Sequence, residues 1–316
     1  MARTPKKGLI IVFRKESLDD FQEIVRRAYK LDPSVFILGF PERIDPNKIP
    51  KGFFDLPHLV IYLVNPPPVE FIHTSPMLEV RELGKLGEYE HFKEHHLSCL
   101  PIERFEWGMR LDPSVFGDWV VLKPETMTST GADVNMVKTA LIPTLGPEHF
   151  SKSHLIHQDK FLVQKFIRCG ERPTHYRVLV FLGEILYSAK SVQHFAYPSV
   201  DMNLEEQLTT SIASNLTNHR SVDLVADKEV NEFALKVAST FTVNNPLLGI
   251  DVIRDDITGH LYVLEVNSGG NTWAFSSKIA RLFRDAIGGR KSMVLQYNAW
   301  DRAAAALLKK VHEIAR

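Results

Sequence analysis

Cysteine is scarce in this sequence: Cys99 and Cys169 are the two in 316 residues, and no CxxC accompanies them. That excludes a disulfide-built fold and a four-thiolate zinc site, and the usage fits a reducing cytoplasm. Net charge is missing too, because Lys+Arg and Asp+Glu are both 38. Such a balance gives no argument for nucleic acid or an anionic membrane as a partner. Long apolar runs are also absent. Lys6 and Lys7 precede Leu9–Phe13, but Arg14 closes the run, so no signal peptide is expected. Leu59–Val64 is far too short to span a bilayer. Neither G-x-x-x-x-G-K-[ST] nor G-x-G-x-x-G occurs, and there is no internal repeat and no low-complexity segment.

What is present is ordinary for a globular chain: 44% of residues are apolar and 24% charged, and the length allows two or three subdomains. Gly8–Phe13 reads as a buried strand. Ser17 and Asp20 form an S-x-x-D helix start, followed by Leu18, Phe21, Val25 and Ala28 at helical spacing. Ser34–Phe40 and His58–Val64 read as two more strands, which together predict a small α/β unit with a parallel sheet, ended by Pro66-Pro67-Pro68. Helical pattern returns from Lys85 to Leu97, and Trp119–Lys123 is a strand ended by Pro124. A polar stretch, Glu125 to Asp133, follows it. Phe161–Ile167, Tyr176–Phe181 and Ile185–Ala189 read as strands, the last two joined at Gly183-Glu184. Lys228–Phe241 is amphipathic and helical, and Leu248–Arg254 and Leu261–Asn267 are strands. A final helix starts at Asn298 and Asp301 and carries Trp300, Ala304, Leu307, Val311 and Ile314 on one apolar stripe.

Three segments carry chemistry. In the first, Gly249-Ile250-Asp251 and Leu264-Glu265-Val266-Asn267 flank a short turn. A three-residue turn with Gly259 in the left-handed position puts Asp251 directly opposite Glu265, with Asn267 on the same face. Opposed carboxylates repel across a ladder, and a hard divalent cation removes that penalty through oxygen ligands. A four-residue turn would shift the register and break the direct pairing, and an exposed hairpin with scattered acids is the plain alternative. In the second, Lys123 ends a buried strand and is followed by Ser129-Thr130-Gly131-Ala132-Asp133, a fixed cation and a small-residue loop that can serve phosphate oxygens. The third, Gln164-Lys165-Phe166-Ile167 with Gly170-Glu171 and Tyr176-Arg177, can present backbone groups to an adenine edge or can simply be two core strands.

The order of these segments resembles the ATP-grasp superfamily, and within it the branch of glutathione synthetases and ribosomal-protein glutamate ligases. The resemblance runs from about Lys85 to Asn271. It implies an α/β fold with α+β subdomains: residues 1–84 as a small Rossmann-like domain preceding the ATP-grasp module, and 85–316 as the module, with 115–190 as the nucleotide-clamping subdomain and 191–316 carrying the metal site. By the same resemblance Lys85 and Lys123 contact phosphates, Ser129, Thr130 and Gly131 belong to the phosphate loop, and Gln164, Lys165, Phe166 and Ile167 form the adenine hinge. Glu171 would reach the ribose, Arg177 and Asn215 would be catalytic, and Asp251, Glu265 and Asn267 would hold Mg2+, with Mn2+ as an alternative. The implied activity is a cytoplasmic, ATP-dependent carboxylate–amine ligase that passes through an acyl phosphate and acts on small-molecule or peptide substrates, with neither nucleic acid nor membrane involved and a homo-oligomer compatible. A small-molecule kinase on the same scaffold, or a nucleotide-binding protein without turnover, stays open. The chain departs from the family in having one glycine in its phosphate loop and in reading Ser268-Gly269-Gly270-Asn271-Thr272-Trp273 after the metal triad, where relatives often carry proline.

Other groups give weaker readings. His91, His95, His96 and Cys99 lie near one another on or beside a helix, but no second half-site completes a zinc set, so solvated or core histidines are expected. Cys169 has no base partner visible in sequence. Trp273 and Phe275 read as core packing ahead of a substrate wall.

Overall fold

The computed structural model describes residues 5–64, 75–126, 133–210, 212–213, 219–241 and 245–315. Three sheets organise them. The first is parallel, β2-β1-β3-β4, from β1 (Lys7–Phe13), β2 (Val35–Pro41), β3 (His58–Tyr62) and β4 (Met77–Glu79), with α1 (Leu18–Leu31) connecting β1 to β2. Leu9, Ile11 and Phe13 join one core cluster while Ile10 and Val12 join another. A strand covered on both faces reads as an unbroken apolar run, which is what Leu9–Phe13 is.

After α2 (Gly84–Glu94) comes a second sheet, antiparallel in the order β5-β8-β6-β7: β5 (Ile102–Arg104), β6 (Trp119–Pro124), β7 (Asn135–Lys138) and β8 (Phe161–Lys165), with the short α3 (Pro113–Phe116) between β5 and β6. The third sheet, β11-β10-β9-β12-β13, is also antiparallel. It comprises β9 (Thr174–Phe181), β10 (Glu184–Gln193), β11 (Arg220–Leu224), β12 (Leu247–Arg254) and β13 (Leu261–Ser268), interleaved with α4 (Leu204–Thr209) and α5 (Lys228–Thr240). Helices α6 (Arg281–Ala286), α7 (Gly289–Tyr297) and α8 (Ala299–Ile314) close the chain.

The largest core cluster joins the first and third sheets, and the second sheet packs a cluster of its own. The largest joins Leu9, Phe21 and Ile61 of the parallel sheet and α1 to Leu179 and Tyr187 of the third sheet through Trp273, Trp300 and Leu307. Trp273 is fully buried there, stacked on Trp300 and packed against Phe21, and Phe275 lies beside it, so both aromatics are core. The second cluster packs α5 and Phe92 of α2 against the opposite face of the third sheet.

Both helices start where expected, after Ser17 and Asn298, but the expected side-chain caps do not form. Ser17 makes no capping bond; its hydroxyl meets that of Ser276, while Asp20 accepts a hydrogen bond from Trp273 Nε1 (2.8 Å) and pairs with Arg290. On α1 Phe21 and Ala28 are buried as expected, but Ile24 takes the buried place expected of Val25, which is half-buried. Asn298 is left-handed and uncapped, and Asp301 bonds Arg27 of α1. In each case a tertiary partner outcompetes the local cap. The β9–β10 turn centres on Leu182 and Gly183, both at positive φ, one residue earlier than expected. Pro66–Pro68 lie outside the described residues. No described helix is long and apolar enough to cross a membrane.

Candidate active site

The β12–β13 hairpin aligns the acids by two compensating departures from a regular ladder. The Asp255 N–H donates to His260 O, so the loop is the four residues 256–259, one more than expected; Gly259 is left-handed as expected, with φ +72°. The Asp255 carboxylate holds this loop by accepting from the N–H groups of Ile257 and Thr258. The register begins Arg254↔Leu261 and would carry Asp251 to Leu264. A bulge intervenes instead, and Asp251 stands opposite Glu265. The bulge also explains how Val263 and Val266, three apart, both enter one core cluster, which strict alternation forbids.

On its other side Asp251 is paired in register with Arg177 of β9, so Arg177, Asp251 and Glu265 form one row across three strands. Arg177 Nε donates to Asp251 Oδ1 at 2.7 Å, and its second nitrogen bonds Oδ2, making a fork. The same guanidinium lies 3.9 Å from Glu265 Oε1. The Asn267 amide nitrogen donates to Asp251 Oδ2 (3.3 Å) and to Glu265 Oε1 (3.0 Å). Two carboxylates that would repel are thus held by one cation and one amide. Burial works against the charge of Arg177, but Asp251 outweighs it and drives the guanidinium pKa above its ordinary value. Around the row, His175 is kept neutral by burial and by Arg177 and Arg220, its pKa lowered to about 3. Burial pushes the Tyr187 phenol up, and its hydroxyl has no hydrogen-bond partner among the described residues.

Two carboxylate oxygens and an amide oxygen are hard donors of the kind magnesium takes. Among the described residues no group of three or more His, Cys, Asp or Glu side chains is placed to hold a metal, so the amide is a necessary part of any such set. Its oxygen must turn inward for that, a rotation of one side-chain amide. Gly249, opposite Asn267, leaves the space that Thr272 fills: a Cβ there would stand 2.5 Å from Thr272 Cγ2.

Of the two lysines, Lys123 lies on the second sheet and Lys85 on α2. Lys123, at the end of β6, is buried and donates from Nζ to Gln164 Oε1 of β8 at 2.7 Å. Lys85, in the first turn of α2, donates to Glu125 O at 2.8 Å. Among the described residues neither makes an ion pair. Burial lowers the Lys123 pKa to about 8, with Glu265 opposing that shift and Lys85 adding to it. Lys85, Tyr89, Phe92, Leu100, Lys123 and Gln164 line a recess together with Val263 and Leu264 of β13. The structure thus brings together Lys85, Lys123 and Gln164 around one recess, with the strand of Glu265 on its border.

In the hinge, the Lys165 and Phe166 N–H groups are already used, donating to Pro101 O and Trp119 O. Ile167 belongs to a small apolar cluster with Leu100, Ile253 and Leu264, and Glu171 is exposed. Ser129, Thr130, Gly131 and Asn215 lie outside the described residues. His91 bonds Thr240 Oγ1 and packs on Phe241, while His95 and His96 are exposed, so the histidine group is not a zinc site. Burial raises the Cys169 thiol to about 12, which leaves it a poor nucleophile.

One participant was missed in the sequence. Glu88 of α2 is buried, and its carboxylate accepts from the Val266 N–H at 3.1 Å. Its spacing of three from Lys85, on one helix face, was the available signal.

No family model and no curated protein matches the chain. Solved structures do. D-cycloserine synthetase DcsG aligns over 96% of this chain and 99% of its own, at 14% identity and a TM-score of 0.51. The ATP-grasp ligase PsnB complexed with a minimal precursor aligns over 97% and 99%, at 10% identity and 0.51. PsnB with a phosphomimetic variant of that precursor, Mg and ADP aligns over 98% and 100%, at 11% and 0.51. At such identities the likeness is one of fold, and the chain has the ATP-grasp fold.

Proposed function

We propose that the protein is an ATP- and Mg2+-dependent ligase that joins a carboxylate to an amine through an acyl phosphate, on a small-molecule or peptide substrate. The observation that carries this reading is the recess lined by buried Lys123, by Lys85 and by the strand of Glu265 and Asn267. A buried cation that makes no ion pair among the described residues is a site held ready for an anion, and a triphosphate supplies one. PsnB, solved with Mg, ADP and a precursor, and DcsG, a synthetase, support a nucleotide with a divalent ion and a peptide or small-molecule substrate on this fold.

In this reading Lys85 and Lys123 neutralise the phosphates, and Asp251, Glu265 and Asn267 hold the cation, which would supply further charge neutralisation when bound. Ile167 meets the adenine edge, since the neighbouring hinge N–H groups are used in the sheet. Arg177, anchored by Asp251, faces the transferred phosphoryl group. A substrate carboxylate oxygen attacks the γ-phosphorus and ADP leaves. The amine nitrogen then attacks the acyl carbon, phosphate departs with the C–O electron pair, and the amine proton is lost to solvent.

The test is a panel of acids and amines with ATP and Mg2+, read by mass spectrometry. A product weighing acid plus amine minus water, with ADP and phosphate in equal amounts, is expected. Glu265→Gln should keep the fold and lose most of the turnover; unchanged turnover and Mg2+ dependence in that variant would contradict the assignment.

A further inference from the structure

Strand β13 is the edge of its sheet, and the segment around α2 straps its open side. Val263 N–H donates to Ser98 O (2.9 Å), and Ser268 Oγ donates to Arg81 O (2.9 Å). Between these two points the Val266 N–H donates to Glu88 Oε2. Val266 stands between Glu265 and Asn267, so this contact fixes the backbone that aims both. The strap could have used a main-chain carbonyl here, as it does at the other two points. A buried carboxylate is an expensive choice, because Glu265 is close enough to repel it. Burial, followed by Glu265, raises the Glu88 pKa to about 8, and Lys123 and Lys85 pull it back. Glu88 therefore touches the metal strand through its backbone and both phosphate lysines through their fields, and it rides on the helix that carries Lys85.

We infer that Glu88 is a positioning residue that couples the phosphate lysines to the metal strand, setting where Glu265 and Asn267 stand relative to Lys85. This rests on the proposed Mg2+–ATP site. Nothing in the account requires Glu88 to contact substrate or metal.

The experiment measures ATP affinity by calorimetry, in EDTA and in excess Mg2+, for the wild type, Glu88→Gln and Glu88→Ala. The glutamine keeps an acceptor oxygen for Val266 and should retain the wild-type enhancement of affinity by Mg2+. The alanine should lose about tenfold of that enhancement, the scale of an outer-sphere support, while its affinity in EDTA changes little. An alanine variant with the full enhancement, or a glutamine variant that loses as much as alanine, would overturn the inference. Should alanine fail to fold, Glu88→Met keeps the bulk and removes the acceptor. Hydrogen exchange at the Val266 amide, without nucleotide, separates this inference from the function it rests on. The amide should be protected in the wild type and Glu88→Gln and open in Glu88→Ala. Equal protection in all three would end the positioning role, whatever the protein does with ATP.

Discussion

The two sheets that face the recess handle charge in opposite ways. In the five-stranded sheet the charges are paired internally: Arg177 forks onto Asp251, and Asn267 bridges Asp251 and Glu265. In the β5-β8-β6-β7 sheet Lys123 is buried against a neutral amide oxygen, and Lys85 of the neighbouring α2 reaches only a carbonyl. A paired charge is part of the fold and meets a ligand only by exchanging partners. A desolvated cation whose hydrogen-bond partner is neutral is a cost to the fold that an arriving anion relieves. In the proposed function the first arrangement builds the site and the second loads it.

Stability should split along that line. Asp251→Ala strands the Arg177 guanidinium and should lower the unfolding free energy by about 3 kcal/mol, read by denaturant titration. Lys123→Met, which removes a buried charge that makes no ion pair among the described residues, should leave stability unchanged or raise it. Equal losses in both variants would break the comparison.

Affinity should split the other way. Lys123→Met should weaken ATP binding by about 1.5–3 kcal/mol, the worth of a charge-assisted contact, in calorimetry. Wild-type affinity in that variant would return Lys123 to a purely structural role.

A third, smaller effect follows from the lowered Lys123 pKa. The folded protein without nucleotide releases this proton near pH 8, whereas the unfolded chain keeps it to the ordinary 10.5. Between those values the unfolded state binds more protons, so this group makes stability rise with pH. ATP affinity should fall across the same window, because the phosphates then meet a neutral amine. Affinities measured from pH 6.5 to about 9.5 check this, with Lys123→Arg expected to flatten the fall because arginine stays charged there.

Much of this was legible in sequence, though not always for the right reason. The strands of Asp251, Glu265, Lys123 and Gln164 all form near their expected bounds, because short β-branched runs with clear turn signals leave few alternatives. The Asp251–Glu265 pairing also holds, but the assumed three-residue turn does not form: a longer loop and a bulge offset each other. The Val263 and Val266 spacing was the one hint of that bulge. The strands β4, β5, β7 and β11 went unseen because three to five residues show no period. Asp20 was read as a local cap because its partners Trp273 and Arg290 lie far along the chain, and Glu88 was overlooked because its partner is a backbone N–H in another sheet. Local pattern identifies elements; it does not identify which distant group claims a polar side chain.

The most direct test of the account asks whether an acyl phosphate forms. Once an acid substrate has been found, the protein is given ATP, Mg2+ and that acid, with the amine replaced by hydroxylamine, which intercepts a mixed anhydride. The account predicts a hydroxamate of the acid, with ADP and phosphate released in equal amounts. ADP formed together with a stable phosphorylated product, without free phosphate and without hydroxamate, would contradict it.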